Sequence, residues 1–359
     1  MKKLLALVLA LTLALGLGAS AMAEGNAFVS WYTFGDVYLT SVRTALDAAF
    51  AEKGIDVTDK DANGVQQTQT DDLNTALVTG ANALVINLVD SGAIGTAETL
   101  MAAAQAQNIP AVFFNRAVST DNDEAANLFK SYEKSAFVGT NFEDAGRMQG
   151  QMIGEYVVAN FDALDLNKDG VITYVMFKGD EANQEAIART KYGVECADEV
   201  LTAAGKPALK FYDESNEKKY LVDMNGTWSN VASNDYMGTI LAQYNEANGN
   251  MVELIIANND DMAIGAINAL QVAGYNVPGT DSKIIPVFGV DATDAAKEKI
   301  AEGVMTGTIK QDNVGMADAV ATITANLIAG KDKFDGLNEN YGVQDGWFVT
   351  IPYSVYTGE

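Results

Sequence analysis

Histidine is missing altogether from the 359 residues, cysteine occurs once, and proline five times. Without histidine there is no Ser-His-Asp triad, no Cys-His pair and no histidine-bound zinc, which removes a large part of enzyme chemistry. A single cysteine, Cys196, rules out a disulfide within the chain. It sits in a helical-looking stretch and reads as a small packed hydrophobe rather than a nucleophile. Positive charge is also scarce: 23 lysines and arginines face 48 aspartates and glutamates, for a net charge of −25. A surface of that sign repels nucleic acid and anionic lipid, which argues against both as partners. After the first two dozen residues no run is long and apolar enough to span a bilayer, which takes roughly 20 residues.

The first residues have the pattern of a cleaved export signal. Lys2 and Lys3 precede the apolar run from Leu4 to Leu17, and Ala21-Met22-Ala23 places small residues at the cleavage site. Cleavage after Ala23 would remove two lysines and no acid, and would deliver a mature chain to the periplasm or another extracytoplasmic space. No cysteine follows the cleavage point, so a lipid anchor has no attachment residue.

From there the sequence alternates. Strand-like apolar runs at 27–32, 83–89, 111–115, 171–177, 252–258 and 284–290 are separated by Ala-rich stretches of helical spacing, such as 36–53, 92–107, 181–204, 260–274 and 313–330. Such alternation predicts an α/β fold of βαβ units with parallel sheets, helices covering both faces. A pseudo-repeat is also visible. ALVIN (83–87), a helix and IPAVFFN (109–115) are matched by LIIAN (254–258), a helix and IPVFGVD (285–291). The copies end in Asn87, Asn115, Asn258, Asn259 and Asp291. Asn and Asp cap helices well at such turns. Ligands of doubly wound sheets also bind at the carboxyl ends of the strands, so two facing lobes would gather these side chains in one cleft. A separate segment, DLNKDGVIT (165–173), fits the first nine positions of an EF-hand calcium loop, with oxygens at positions 1, 3 and 5 and glycine at 6. Position 12 is Met176, so the usual bidentate glutamate is missing locally.

These segments, together with WYTFGDVYLTSVR (31–43), FVGTNFEDAGRMQG (137–150) and ELIIANNDDMAIGAINAL (253–270), resemble the periplasmic D-galactose/D-glucose-binding proteins of sugar ABC transporters. The resemblance covers essentially the whole mature chain. It implies two Rossmann-like lobes, 24–139 plus 313–351 and 140–312 plus 352–359. They would be hinged near Gly139-Thr140, Asp312-Asn313 and Ile351-Pro352. The implied function is a receptor, not an enzyme, that binds glucose or galactose and hands it to a membrane permease. The expected form is a monomer, and a chemoreceptor is a second implied partner.

By motif match, Asp36 and Asn115 would bind sugar hydroxyls from the first lobe, and Arg189, Asn259 and Asp291 from the second. Trp228 and Tyr38 would cover the two faces of the ring, with Tyr32 lining the pocket. Planar polar side chains suit the hydroxyl rim of a pyranose, and aromatics suit its C–H faces. Three positions depart from the best-known members: Asn183 stands for His, Glu185 for Asp and Gln311 for Asn. They leave glucose and galactose both open, with another monosaccharide such as a pentose as the alternative. The resemblance also completes a structural calcium site from Asp165, Asn167, Asp169, the Val171 carbonyl and the Thr173 hydroxyl, closed by Glu253. Two other readings fit less well. A sugar-responsive transcription regulator would need a DNA-binding header and a cytoplasmic address. A glycosidase would need two carboxylates free for catalysis, with Asp36 and Asp291 as the candidates.

Overall fold

The computed structural model describes residues 25–358; the expected export signal, residues 1–23, lies outside them. The fold is built on two separate sheets. The first runs β12 (Gly342–Gln344), β13 (Phe348–Thr350), β5 (Ser135–Gly139), β4 (Ala111–Phe114), β3 (Ala83–Ile86), β1 (Gly25–Trp31), β2 (Ile55–Asp61). All neighbours are parallel except β12 with β13. The second runs β14 (Tyr353–Tyr356), β11 (Gly307–Gln311), β10 (Val287–Asp291), β9 (Leu254–Ala257), β6 (Thr173–Lys178), β7 (Lys210–Phe211), with β8 (Leu221–Val222) also paired to β6. Here only β14 is antiparallel to its neighbour.

Helices cover both faces of each sheet, as the apolar runs require. β3, β4 and β9 are buried at every residue, which is why they read as continuous hydrophobic strings rather than alternating ones. On one face of the first sheet, α1 (Val37–Glu52) packs Val42, Leu46 and Phe50 against Val29, Val85 and Val112. Each such side chain contributes about 1.5–3 kcal/mol by leaving water. The other face carries α2 (Gln66–Thr79), α3 (Ile94–Ala106) and α4 (Asn122–Lys130). The second sheet is sandwiched between α5 (Phe142–Leu164) with α6 (Gln184–Ala203) on one side, and α7 (Asn230–Gln243), α8 (Asp260–Val272) and α9 (Asp294–Ala301) on the other. Cys196 is a buried residue of α6.

The chain passes between the sheets three times: after β5, after β11 and after β13. The helix that follows β11, α10 (Asn313–Ile328), returns to the first sheet, where Met316, Val320 and Ile323 join its core. The first and third crossings touch, with Ile351 N donating to Gly139 O at 2.8 Å.

One local device positions the functional face of the second lobe. Gly146, Gly150 and Gly154 recur every fourth residue along α5, one above another on the same side. An added Cβ at these positions would lie 2.7 Å from Ala188 O, 2.5 Å from Tyr192 O and 2.6 Å from Val200 Cβ. Backbone of α6 therefore lies directly against α5, and the depth at which Arg189 sits is set by this stripe.

Candidate functional site

Between the carboxyl ends of the two sheets lies a small, narrow cavity. Asp36, Tyr38 and Asn115 line it from the first lobe, and Asn183, Glu185, Arg189, Trp228, Asn259, Asp291 and Gln311 from the second. Of the residues expected to bind sugar, only Tyr32 stands apart: its ring lines the wider adjoining cleft instead. There it is covered by the Arg116 guanidinium, 4.1 Å from the ring centroid. Asn87 and Asn258, two of the strand-end polar residues, also stay out of the cavity. Asn87 accepts from Tyr32 N and donates to Phe114 O, and β3 ends at Ile86, short of the expected Val89. Asn258 is fully buried and accepts from Gly179 N and the Thr190 hydroxyl.

Local backbone chemistry explains why the lining side chains point where they do. Asp36, Asn183 and Asn259 are the N-caps of α1, α6 and α8. They accept from Leu39 N at 2.8 Å, Ala186 N at 3.0 Å and Met262 N at 2.9 Å respectively. Capping fixes the rotamer and leaves the rest of each side chain facing the cavity. Asn115, Trp228 and Asp291 have φ of 62°, 57° and 123°. Such conformations cost of order 1–3 kcal/mol in residues other than glycine and cluster at functional sites. Trp228 is held by Asp223, whose Oδ2 accepts from Ser229 N, and by Asn259 Nδ2, which donates to Trp228 O. Its ring lies over Gly179, where any Cβ would come within 2.0 Å of Trp228 Cδ2.

The electrostatic centre is Arg189, which is 2% exposed. Nη1 donates to Asn258 O at 2.9 Å, and Nη2 to Gln311 Oε1 at 2.9 Å and to the Tyr353 hydroxyl at 3.2 Å. Glu185 Oε2 lies 3.6 Å from Nη2 and Asp291 Oδ1 3.9 Å from Nη1. Burial alone would lower the guanidinium pKa, but Tyr353, Glu185 and Asp291 together raise it. Burial pushes the Asp291 carboxyl well above the usual carboxylate range; Arg189 opposes this, while Asp260, Asp36 and Glu185 add to it. Asp36 is also raised, chiefly by burial and against its bond from Leu39 N. Beneath the cavity, Asp260 accepts from the Thr308 hydroxyl at 2.6 Å and from Thr293 N at 2.7 Å, and burial pushes it up to about 7.

Several residues of the site escape sequence reasoning. Arg116 lines the cavity and reaches across to Asp180 of the other lobe at 3.6 Å, while its guanidinium donates to Leu88 O and Val89 O. Its position directly after Asn115 is the one signal that could have marked it. Thr140 and Tyr353 carry hydroxyls into the Arg189 cluster, and nothing but their places beside the expected hinge points to them. Asn183 meets the first lobe too, with Nδ2 3.5 Å from Ser91 Oγ.

The EF-hand-like loop closes on itself. Asp165 accepts from Asp169 N and Gly170 N, Asn167 Oδ1 from Asp169 N, and Asp169 Oδ1 from Val171 N. Glu253 is fully buried, its carboxylate accepting from Leu166 N, Asn167 N and Thr173 N. Burial raises its pKa, with the N–H bonds opposing and Asp165 adding. Among the described residues no three histidine, cysteine, aspartate or glutamate side chains gather as a metal cluster. An ion held here would thus draw on amide, hydroxyl and backbone oxygens as well as carboxylates, which calcium accepts.

Two α/β lobes with polar strand ends and aromatic rings facing across one cavity define a ligand-clamping receptor. Residues 27–332 match the periplasmic binding protein domain, and the chain belongs to that family. It is 34% identical over 336 residues to the D-galactose/methyl-galactoside binding periplasmic protein of Haemophilus influenzae, covering 93% of this chain and 90% of the relative. It is 23% identical to the ribose import binding protein of Escherichia coli, over 88% and 89%. Among solved structures, a D-allose-bound solute-binding protein from Actinobacillus succinogenes superposes with a TM-score of 0.70 at 17% identity, over 93% and 98%. One from Clostridium phytofermentans with β-D-glucose gives 0.69 at 18%, over 93% and 94%.

Proposed function

We propose that this protein is the extracytoplasmic receptor of an ABC sugar transporter and closes its lobes on one hexose, D-glucose or D-galactose. The observation that carries this reading is the set of unpaired buried polar atoms in the cavity. The Tyr38 hydroxyl, Arg189 Nε and Gln311 Nε2 have no hydrogen-bond partner among the described residues. Leaving such a group unsatisfied costs about 1–3 kcal/mol. A pyranose offers a rim of hydroxyls that both donate and accept, while its C–H faces fit against Trp228 and Tyr38. Galactose is the sugar for which the 34% identical relative is named, and no helix among the described residues is long and apolar enough to cross a membrane.

The protein binds its sugar without altering it. Asp36, a helix cap, and Asp291, faced by Arg189, are ligand contacts rather than an acid and a nucleophile. The closed monomer then docks on the permease, and a chemoreceptor would read the same surface. A calcium ion in the loop 165–173, closed by Glu253, is part of the proposal. It is supported by a fully buried glutamate beside Asp165 that forms no ion pair with any lysine or arginine among the described residues.

Calorimetry across glucose, galactose, xylose, ribose and arabinose tests the reading. A hexose should bind best and be recovered chemically unchanged. Trp228→Ala and Asp36→Ala should each weaken it at least tenfold, about 1.4 kcal/mol. Preference for a pentose, or turnover of the sugar, would overturn it.

A further inference from the structure

Arg116 and Asp180 face each other across the cleft. Arg116 comes shortly after β4 in the first lobe and Asp180 shortly after β6 in the second. Their side chains approach to 3.6 Å, Nη2 to Oδ2. Every other ion pair among the described residues joins two groups of the same lobe, so this is the one that spans both. A hydrogen bond crosses beside it, from Asn183 Nδ2 to Ser91 Oγ at 3.5 Å.

Both charges are held in place by their own lobes. Arg116 Nε donates to Leu88 O at 2.8 Å and Nη2 to Val89 O at 3.1 Å, and the guanidinium lies over the Tyr32 ring, 4.1 Å from its centroid. All three partners belong to the first lobe. On the facing side, Asp180 Oδ1 accepts from Ala182 N at 2.9 Å, within the second. Bringing the lobes together therefore costs this pair little side-chain entropy, the cost that cancels much of the gain in an ordinary surface ion pair. The Arg116 side chain is 7% exposed and that of Asp180 21%, so water and salt screen the attraction only in part.

Arg116 lines both the narrow cavity and the wide cleft outside it, whereas Asp180 lines the cleft and not the cavity. The bridge thus stands where the two meet. Because each end is anchored in its own lobe, turning one lobe away from the other pulls Nη2 and Oδ2 apart directly. We infer that Arg116 and Asp180 form a latch that holds the lobes together over a bound sugar. The inference rests on the function proposed above. Asp180 is a positioning residue, acting on the sugar through the lobe angle and Arg116. Its loss should speed release of the sugar more than it slows capture, because the encounter takes place with the lobes apart.

Stopped-flow binding of the hexose preferred by the wild type tests the latch. Asp180→Asn keeps the acceptor for Ala182 N and removes only the charge. It should release the sugar about fivefold faster, with the association rate little changed and the ligand-free melting temperature moved by no more than about 2 °C. Raising salt from about 20 mM to about 500 mM should speed release from the wild type but not from Asp180→Asn, since the hexose itself carries no charge. In an Arg116→Gln background, adding Asp180→Asn should have no further effect on release. A wild-type release rate in Asp180→Asn, the same salt response in both proteins, or an undiminished effect of Asp180→Asn without Arg116 would each overturn the latch while leaving the receptor function standing. Absence of hexose binding by the wild type would remove the proposed function and the latch with it.

Discussion

Asp36, Asn183 and Asn259 each carry two roles in one side chain: one oxygen caps a helix while the remaining atoms line the cavity. Capping and cavity lining are therefore not rival readings of a polar residue at a strand end, because the cap holds the side chain still against the cavity. Asn87 and Asn258 sit at equivalent places in the pattern yet face inward and satisfy backbone groups. Nothing in a one-dimensional pattern separates the two kinds, since the difference lies in which way the chain turns after the strand. Gly179 is silent in the sequence for a related reason: its role is the space it leaves for Trp228. Gly179→Ala should force the indole out of place and weaken hexose binding at least tenfold, about 1.4 kcal/mol. The loss should come with a shift in tryptophan fluorescence and an intact cooperative melt. An unchanged dissociation constant would show that the ring is not held where the structure puts it.

Elements were legible in proportion to their burial. β3, β4 and β9, buried on both faces, announce themselves as apolar strings. β2 buries only Ile55; from there exposed Asp56, Thr58 and Lys60 alternate with half-buried Val57, Asp59 and Asp61, so the apolar string is lost. β7 and β8, of two residues each, are too short to carry any period. The glycine stripe of α5 is visible as spacing, but its consequence, the seating of α6 and so of Arg189, needs both helices in place. The loop 165–173 lies between these extremes. Its Asp-Asn-Asp-Gly order was readable locally, whereas the approach of Glu253 depends on Glu253 N donating to Thr173 O at 2.8 Å at the edge of β6 and β9. If the loop holds calcium, a chelator should lower the melting temperature by several degrees, and added calcium should restore it. Asp165→Ala should melt like the chelated wild type and be insensitive to chelator. Identical melting curves with and without chelator would dispose of the ion.

For the whole molecule, the excess of acid that argues against nucleic acid as a partner also shapes stability. Most of the 48 acids can spread their charge into water, but Asp260 cannot: it is fully buried beneath the cavity, with its pKa pushed from 3.8 up to about 7. In the unfolded chain the same carboxyl ionises at its ordinary value, so between these limits the folded state holds a proton that the unfolded state has lost. Stability must then rise as pH falls through about 7 and level off towards the ordinary carboxylate range. Asp36 and Asp291, raised for the same reason of burial, act in the same direction. The ligand-free protein should accordingly melt several degrees higher at about pH 5.5 than at about pH 8. Asp260→Asn, which keeps an acceptor for Thr293 N and offers Thr308 a donor, should flatten much of that slope. Hexose should flatten it further, because hydroxyls donating to Asp36 and Asp291 favour their charged forms and so help most at high pH. A ligand-free protein that melts lower at the acidic end, or an Asp260→Asn variant with the wild-type slope, would show that the buried acids beneath the cleft do not govern its response to pH.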